Sequence, residues 1–380
     1  MNTLYHTLAS LCEKYALGKI QGNPQGVEGG LLHRMYHVTT DQGDYAIKLL
    51  NPDIMKRPRA IQNMMDSERV ARHLSHGPDA VPVVVALSGK KGADATPGGT
   101  ALSVKERKEA VLSGDDEPLW FVDMDREDSP ESFRQYALVY PWLEARSLFA
   151  PHIGLSHCGK IGRILGQIHH AQLKPEDLGL SPEETARPLY DWQGYQSLAR
   201  RQSVSWLADY EAMLPDLTRW DRAATEAMKS VASLQVVSHR DLDPKNVLWK
   251  DGEPWLIDWE AAGAVNPWQE LVEVLYYWCS DQNGALDLSL CRELLQEYTR
   301  LMDLRSVDWA PVFAVSFDGM LGWLEYTLKK SLGLEKDEKG EGPAQMKGTY
   351  RDLLHRESQT RQLAELCEAM GHRVTADSPL

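Results

Sequence analysis

No G-x-x-x-x-G-K-[ST] phosphate loop occurs anywhere in these 380 residues, which sets aside the P-loop nucleotide enzymes. Cysteine is scarce. Cys12, Cys158, Cys279, Cys291 and Cys367 are odd in number and scattered, and no pair has metal-ligand spacing. They read as reduced thiols in a cytoplasm, not as a disulfide frame or a zinc site. No run approaches the roughly 18 apolar residues of a membrane-spanning helix. Met1–Gly18 lacks a basic start followed by an apolar core, so no secretory leader is expected. Positive charge is short as well: 41 Lys and Arg against 55 Asp and Glu leave a formal net charge of −14. That balance argues against nucleic acid as a partner. It suits a cationic small molecule, which an acidic cleft would concentrate. The expectation is a cytoplasmic protein with neither a nucleic-acid nor a membrane partner, acting as a monomer or homodimer.

What is present is concentrated in SHRDLDPKNVLWKDGEPWLIDWE, Ser238 to Glu260. Val247-Leu248-Trp249 and Trp255-Leu256-Ile257 are β-prone runs, and Asp251-Gly252 between them is a strong turn signal. Pairing the runs about that turn predicts a hairpin with Asn246 and Asp258 at its open end. Two oxygen donors side by side suit Mg²⁺, which takes few protein ligands and completes its shell with phosphates and water. Asp241 precedes the first run in a loop after Val236-Val237. A carboxylate to take a hydroxyl proton, with an amide and a second carboxylate to hold Mg²⁺ against ATP, is the set that phosphoryl transfer needs.

Lys48 lies in Tyr45-Ala46-Ile47-Lys48-Leu49-Leu50, apolar on both faces, where a lysine is costly to bury unless its charge is paired. Ala60–Ser75 reads as a helix with Ile61, Met64, Met65 and Leu74 on one side. Glu68, two turns after Ile61, shares that face and is the expected partner of Lys48. In kinases such a pair fixes the lysine on the α- and β-phosphates.

HRDLDPKN followed by IDWE resembles the catalytic and metal-binding segments of the kinase-like superfamily. The resemblance is closest to the aminoglycoside phosphotransferase family, which also includes choline-kinase-like enzymes. Asp258-Trp259-Glu260-Ala261-Ala262-Gly263, Asn266-Pro267 and Glu270-Leu271 continue the pattern, except that Asn266 and Glu270 stand where Asp is common. Lys245 faces either the transferred phosphate or solvent. The resemblance implies an α+β, bilobal, protein-kinase-like fold. A small antiparallel N-lobe sheet with one main helix would occupy residues 1–139, and a larger, mostly helical C-lobe residues 140–380. The N-lobe would comprise strands over Leu31–Thr39, Tyr45–Leu50, Val81–Leu87, Leu119–Asp123 and Tyr136–Val139, with 88–118 a mobile insertion.

The same resemblance implies roles. Asp241 would be the catalytic base, Asn246 and Asp258 the metal ligands, and His239 the brace behind the loop. Lys48, Glu68, Gly29 and Gly30 would hold nucleotide. Tyr140-Pro141-Trp142 would be the hinge whose backbone holds adenine, and because proline has no N–H, Tyr140 or Trp142 would donate. His169 or His170, closing the helix Cys158–Gln172, would pack against the catalytic loop or serve no chemistry. The cofactors would be ATP or GTP with Mg²⁺. The acceptor would be a hydroxyl of a small molecule, because too few residues separate Asp258 from the next helix for a protein kinase's activation segment. An aminoglycoside-type amino-sugar is the first candidate, with Glu260, Asp281 and Glu325 lining its cleft. Choline, ethanolamine, homoserine or a sugar-like alcohol is the alternative, as is a nucleotide-binding pseudokinase.

Overall fold

Tyr45, Ile47 and Leu49 alternate with Ala46 and Lys48 along strand β3 (Gly43–Leu49), so the strand presents one apolar face and one face that carries the lysine. This computed structural model describes residues 2–27, 32–77, 80–88, 120–126, 129–180, 187–337 and 340–373. They form two compact units: Met1–Arg146 with Leu248–Ala261, and Ser147–Val247 with Ala262–Leu380. Against the expected division at 139/140, the first unit runs on to Arg146 and the chain visits it twice.

In the first unit, β3 lies at the centre of an antiparallel sheet ordered β1-β2-β3-β5-β4. Its partners are β2 (Arg34–Thr40) and β5 (Ser129–Pro141); β1 (Gln25–Val27) and β4 (Trp120–Arg126) form the edges. Tyr45, Ile47 and Leu49 pack with Val38, Ala137 and Val139 beneath the helix Asn2–Lys14, which contributes Leu8 and Leu11. That helix was not foreseen in the sequence. On the opposite face Leu138 packs with Met64 and Ala86. The helix there is Ala60–Leu74, and its buried stripe is Ala60, Met64, Ser67, Glu68, Ala71 and Leu74. Ile61, expected inside, is 41% exposed. The stripe begins one residue earlier, and the i, i+3, i+4 spacing through Ala60 keeps Glu68 buried.

Val81–Leu87 is not a sheet strand. It runs alongside the hairpin of β7 (Val247–Lys250) and β8 (Glu253–Leu256), making a single parallel bridge from Val83 to Leu256. Val84 N–H donates to Leu256 O (2.9 Å) and Leu256 N–H to Pro82 O (2.7 Å). Trp249 N–H donates to Arg146 O (2.8 Å), so the hairpin is tied into the first unit along both strands. Its turn has positive φ at Asp251 (54°) and Gly252 (79°), as a two-residue primed turn requires.

The second unit is mostly helical. The antiparallel pair β6 (Val236–Ser238) and β9 (Gly263–Val265) is its only sheet among the described residues. The helix Leu155–His170 lies on Leu288–Tyr298 with backbones in contact: a Cβ on Gly162 would stand 2.1 Å from Leu294 O. Residues 192–231 form two helices, Trp192–Gln202 and Leu207–Val231. Tyr210 and Leu217 from these pack with Leu321, Leu324 and Leu353. Two further helices follow, Trp309–Val315 and Asp318–Ser331. Between them Arg356 donates through Nη1 to Ser316 O.

Candidate active site

In the second unit the catalytic-loop candidates follow β6. Ser238 and His239 are fully buried, and Arg240 adopts φ 66°. Such a backbone persists only where surroundings over-determine it. Here Arg240 N–H donates to Glu270 Oε1 (2.6 Å), and Glu270 Oε2 lies 2.8 Å from His169 Nε2. His169 Nδ1 lies 2.9 Å from Tyr298 Oη. With its proton on Nε2, a neutral imidazole donates to Glu270 and accepts from Tyr298. Burial pushes the Glu270 carboxyl up, but the hydrogen bonds from His169 and the Arg240 backbone hold it below the usual carboxylate range. His169 therefore does support the loop, through Glu270, while His170 is exposed.

Asp241 N–H donates to His239 Nδ1 (3.3 Å). Asn246 donates through Nδ2 to Asp241 O (2.8 Å) and Asp241 Oδ2 (2.9 Å), which leaves its amide oxygen turned away from Asp241 as an acceptor. Lys245 Nζ lies 3.2 Å from Asp241 Oδ2, so its charge is directed at the candidate base. Burial raises the Asp241 carboxyl above its ordinary value, with Lys245 opposing. Trp278 Nε1 anchors the loop at Leu242 O (2.8 Å).

In the first unit, Lys48 Nζ lies 2.8 Å from Asp258 Oδ1 and 2.8 Å from Glu260 Oε2. Burial pushes its pKa down, but the two carboxylates lift it above the ordinary lysine value, so the amine is charged. Asp258 has φ 60°, a second strained backbone in the motif. Glu68, the expected partner, is engaged elsewhere: Tyr140 Oη donates to Oε1 (2.5 Å) and Ala86 N–H to Oε2 (3.2 Å). Burial holds its carboxyl above the usual range, although Lys48 is near enough to pull it down. Sequence spacing located both charges on inward faces. It did not foresee that two acids from the 258–260 turn would reach the ammonium first, nor that Tyr140 would occupy Glu68.

The hinge expectation is also corrected. Tyr140 is the register partner of Ala46, and its side chain serves Glu68. Trp142 gives its backbone N–H to Asp44 O (2.9 Å), so that donor is spent within the sheet. Its ring stacks on His37 at 3.9 Å. Gly29, Gly30 and residues 89–118 lie outside the described residues.

Of the cleft acids, Glu260 faces Lys48 and His33, not a cleft. Asp281 closes a turn by accepting Asn283 and Ala285 N–H (2.8 and 2.9 Å). Glu325 is met by Lys329 (2.7 Å) and Tyr195. Glu273, not singled out in the sequence, sits one turn beyond Glu270. Burial pushes its carboxyl up to about 7, against the pull of Arg356 and of Gln269 Nε2 at 3.2 Å. Alternating helical positions gave no signal for it, because its shift arises from tertiary neighbours.

Among the described residues no group of three or more His, Cys, Asp or Glu side chains is arranged to hold a metal ion by itself. Asn246 in the second unit and Asp258 in the first each carry a hard oxygen donor of the kind that Mg²⁺ takes. After Asp258 only the turn Trp259–Ala261 and the short β9 intervene before the helix at Pro267, so no activation segment is present.

The model of the phosphotransferase enzyme family matches residues 24–304. No curated protein matches. Among solved structures, the fold is similar to a spectinomycin phosphotransferase in complex with ADP and spectinomycin, at TM-score 0.62 and 13% identity over 92% of this chain and 97% of that one. An amicoumacin kinase in complex with AMP-PNP, Ca²⁺ and Ami gives TM-score 0.53 at 14% identity, covering 93% and 96%. A choline/ethanolamine kinase family protein from Mesorhizobium loti gives 0.51 at 14%, covering 96% and 97%. At identities this low the likeness is one of fold alone.

Proposed function

The chain belongs to the phosphotransferase enzyme family, and on that premise we propose that it moves the γ-phosphate of ATP or GTP to a hydroxyl of a small, cationic molecule. The observation that carries the reading is the buried Lys48 ammonium 2.8 Å from Asp258, a phosphate-neutralising charge beside a metal-binding carboxylate. Asp241 takes the acceptor's proton, poised by burial and aimed by Asn246 and Lys245. Asn246 and Asp258 would hold Mg²⁺, which when bound neutralises charge between the β- and γ-phosphates. Lys48 binds the α- and β-phosphates. The missing activation segment favours a small acceptor over a protein.

The net charge of −14 supports a cationic acceptor. An amino-sugar antibiotic is the first choice. The similar structures were solved with spectinomycin and amicoumacin, while another carries the choline/ethanolamine kinase name. Choline, ethanolamine or homoserine is the second choice. A phosphate-transfer screen of the purified chain with MgATP and MgGTP, across amino-sugars and small amino alcohols, separates the two. Transfer to none of them, with no slow Mg²⁺-dependent nucleotide hydrolysis, would favour a pseudokinase and end the enzymatic reading.

A further inference from the structure

Lys48 needs a lasting partner when its phosphates come and go, and the first unit offers three acids. Asp258 is committed to metal in the proposed mechanism, so its 2.8 Å contact cannot outlast nucleotide binding. Glu68 has both oxygens occupied, one by Tyr140 Oη and the other by Ala86 N–H. Glu260 alone keeps an oxygen on the ammonium, at 2.8 Å, without another duty in the chemistry.

Glu260 is itself held. His33, at the entrance to β2, is 8% exposed. Its Nδ1 accepts Asn51 N–H at 2.9 Å, which places the ring proton of a neutral imidazole on Nε2. That nitrogen lies 3.3 Å from the same Glu260 oxygen that meets Lys48. The ring N–H is close but makes no aligned hydrogen bond, so it acts on Glu260 as a nearby dipole. Asn51 caps the short helix Pro52–Met55, which fixes the far side of the ring.

We infer that Glu260, held by His33, is the positioning residue that orients Lys48 on the nucleotide phosphates, in the place that kinases give to an acid on the N-lobe helix. Glu68 instead ties that helix to β5 through Tyr140. The inference rests on Lys48 being the phosphate-facing amine.

The test is calorimetric binding of MgATP to the full chain, paired with KM and kcat for Mg²⁺-dependent nucleotide hydrolysis. Glu260→Gln keeps the shape and removes the charge. It should weaken MgATP binding about 10- to 100-fold, as loss of an outer-shell partner does, with KM rising more than kcat falls. Glu68→Gln should weaken binding less than Glu260→Gln and lower the melting temperature more. His33→Leu should reproduce part of the Glu260→Gln defect, and His33→Gln, which retains an N–H donor, should restore some of it. If Glu260→Gln does not fold, Glu260→Asp keeps the charge but shortens its reach, and it too should weaken binding. Wild-type affinity in Glu260→Gln or in a folded Glu260→Asp, with loss in Glu68→Gln, overturns the inference and leaves Lys48 in its role. Failure of the wild-type chain to bind either MgATP or MgGTP overturns the inference together with the nucleotide reading.

Discussion

His169 Nε2 and Glu270 Oε2 stand 2.8 Å apart in the buried interior of the second unit, and the other Glu270 oxygen holds the backbone of Arg240, next to Asp241. A carboxylate this deep is tolerable only because both oxygens are used. Glu270→Gln should cost about 3 kcal/mol, the usual loss on breaking a buried charged network, and should loosen the loop that carries Asp241. Urea unfolding and kcat, measured on one preparation, check both effects.

The same carboxyl predicts a pH dependence. Its folded pKa lies below the ordinary 4.5, so the folded state binds its proton less readily than the unfolded chain. The stabilisation is therefore present above about 4.5 and disappears as pH falls through the folded value. Wild type and Glu270→Gln should differ in urea midpoint at pH 6 and converge toward pH 3. A gap that stays constant over that range would contradict the assignment.

Asp241→Asn should reduce kcat by about 10²- to 10⁴-fold, the span of a lost general base, while MgATP affinity changes only a few-fold. Retention of wild-type turnover would remove Asp241 from the chemistry.

Asp258→Ala should abolish the Mg²⁺-dependent part of nucleotide binding, since one of two protein oxygens for the metal is gone. Calorimetry with MgATP and with ATP in excess chelator distinguishes this from a general loss of fold. Equal affinities with and without Mg²⁺ in the wild type would refute a metal role.

Gly162→Ala should be among the most damaging single methyl additions in the protein. The new Cβ would meet Leu294 O at 2.1 Å, so the helices Leu155–His170 and Leu288–Tyr298 must separate. Overpacking of this kind costs about 1–3 kcal/mol or more. His169 and Tyr298 lie on these two helices, so the variant should also lengthen their hydrogen bond and lower kcat. A melting temperature within a degree of wild type would show that the helices yield.

Much of this was legible because the relevant signals are local. Asp251-Gly252 announced its turn through the backbone states only such residues adopt easily, and the β3 alternation placed Lys48 on the face opposite Ile47. What spacing could not supply was the choice among inward-facing partners. Glu68 was correctly placed inside, yet the identity of its neighbour depended on Tyr140, distant in sequence and joined to β3 only by sheet pairing. His33 gave no signal, because a histidine at a strand entrance is unremarkable until Asn51 and Glu260 are seen on its two nitrogens. Glu270, noted in the sequence as a departure at a position where Asp is common, reaches both His169 and the Arg240 backbone.

The polypeptide enters the first unit a second time at Leu248 and leaves it at Ala261. A fragment ending at Arg146 would consequently be missing a piece of its own interior: Pro82, Val84 and Arg146 would have backbone groups with nothing to bond. Neither unit can be cloned as one uninterrupted stretch, and dissection of this protein calls for a circular permutant or a tethered Leu248–Ala261 insert in place of a simple truncation.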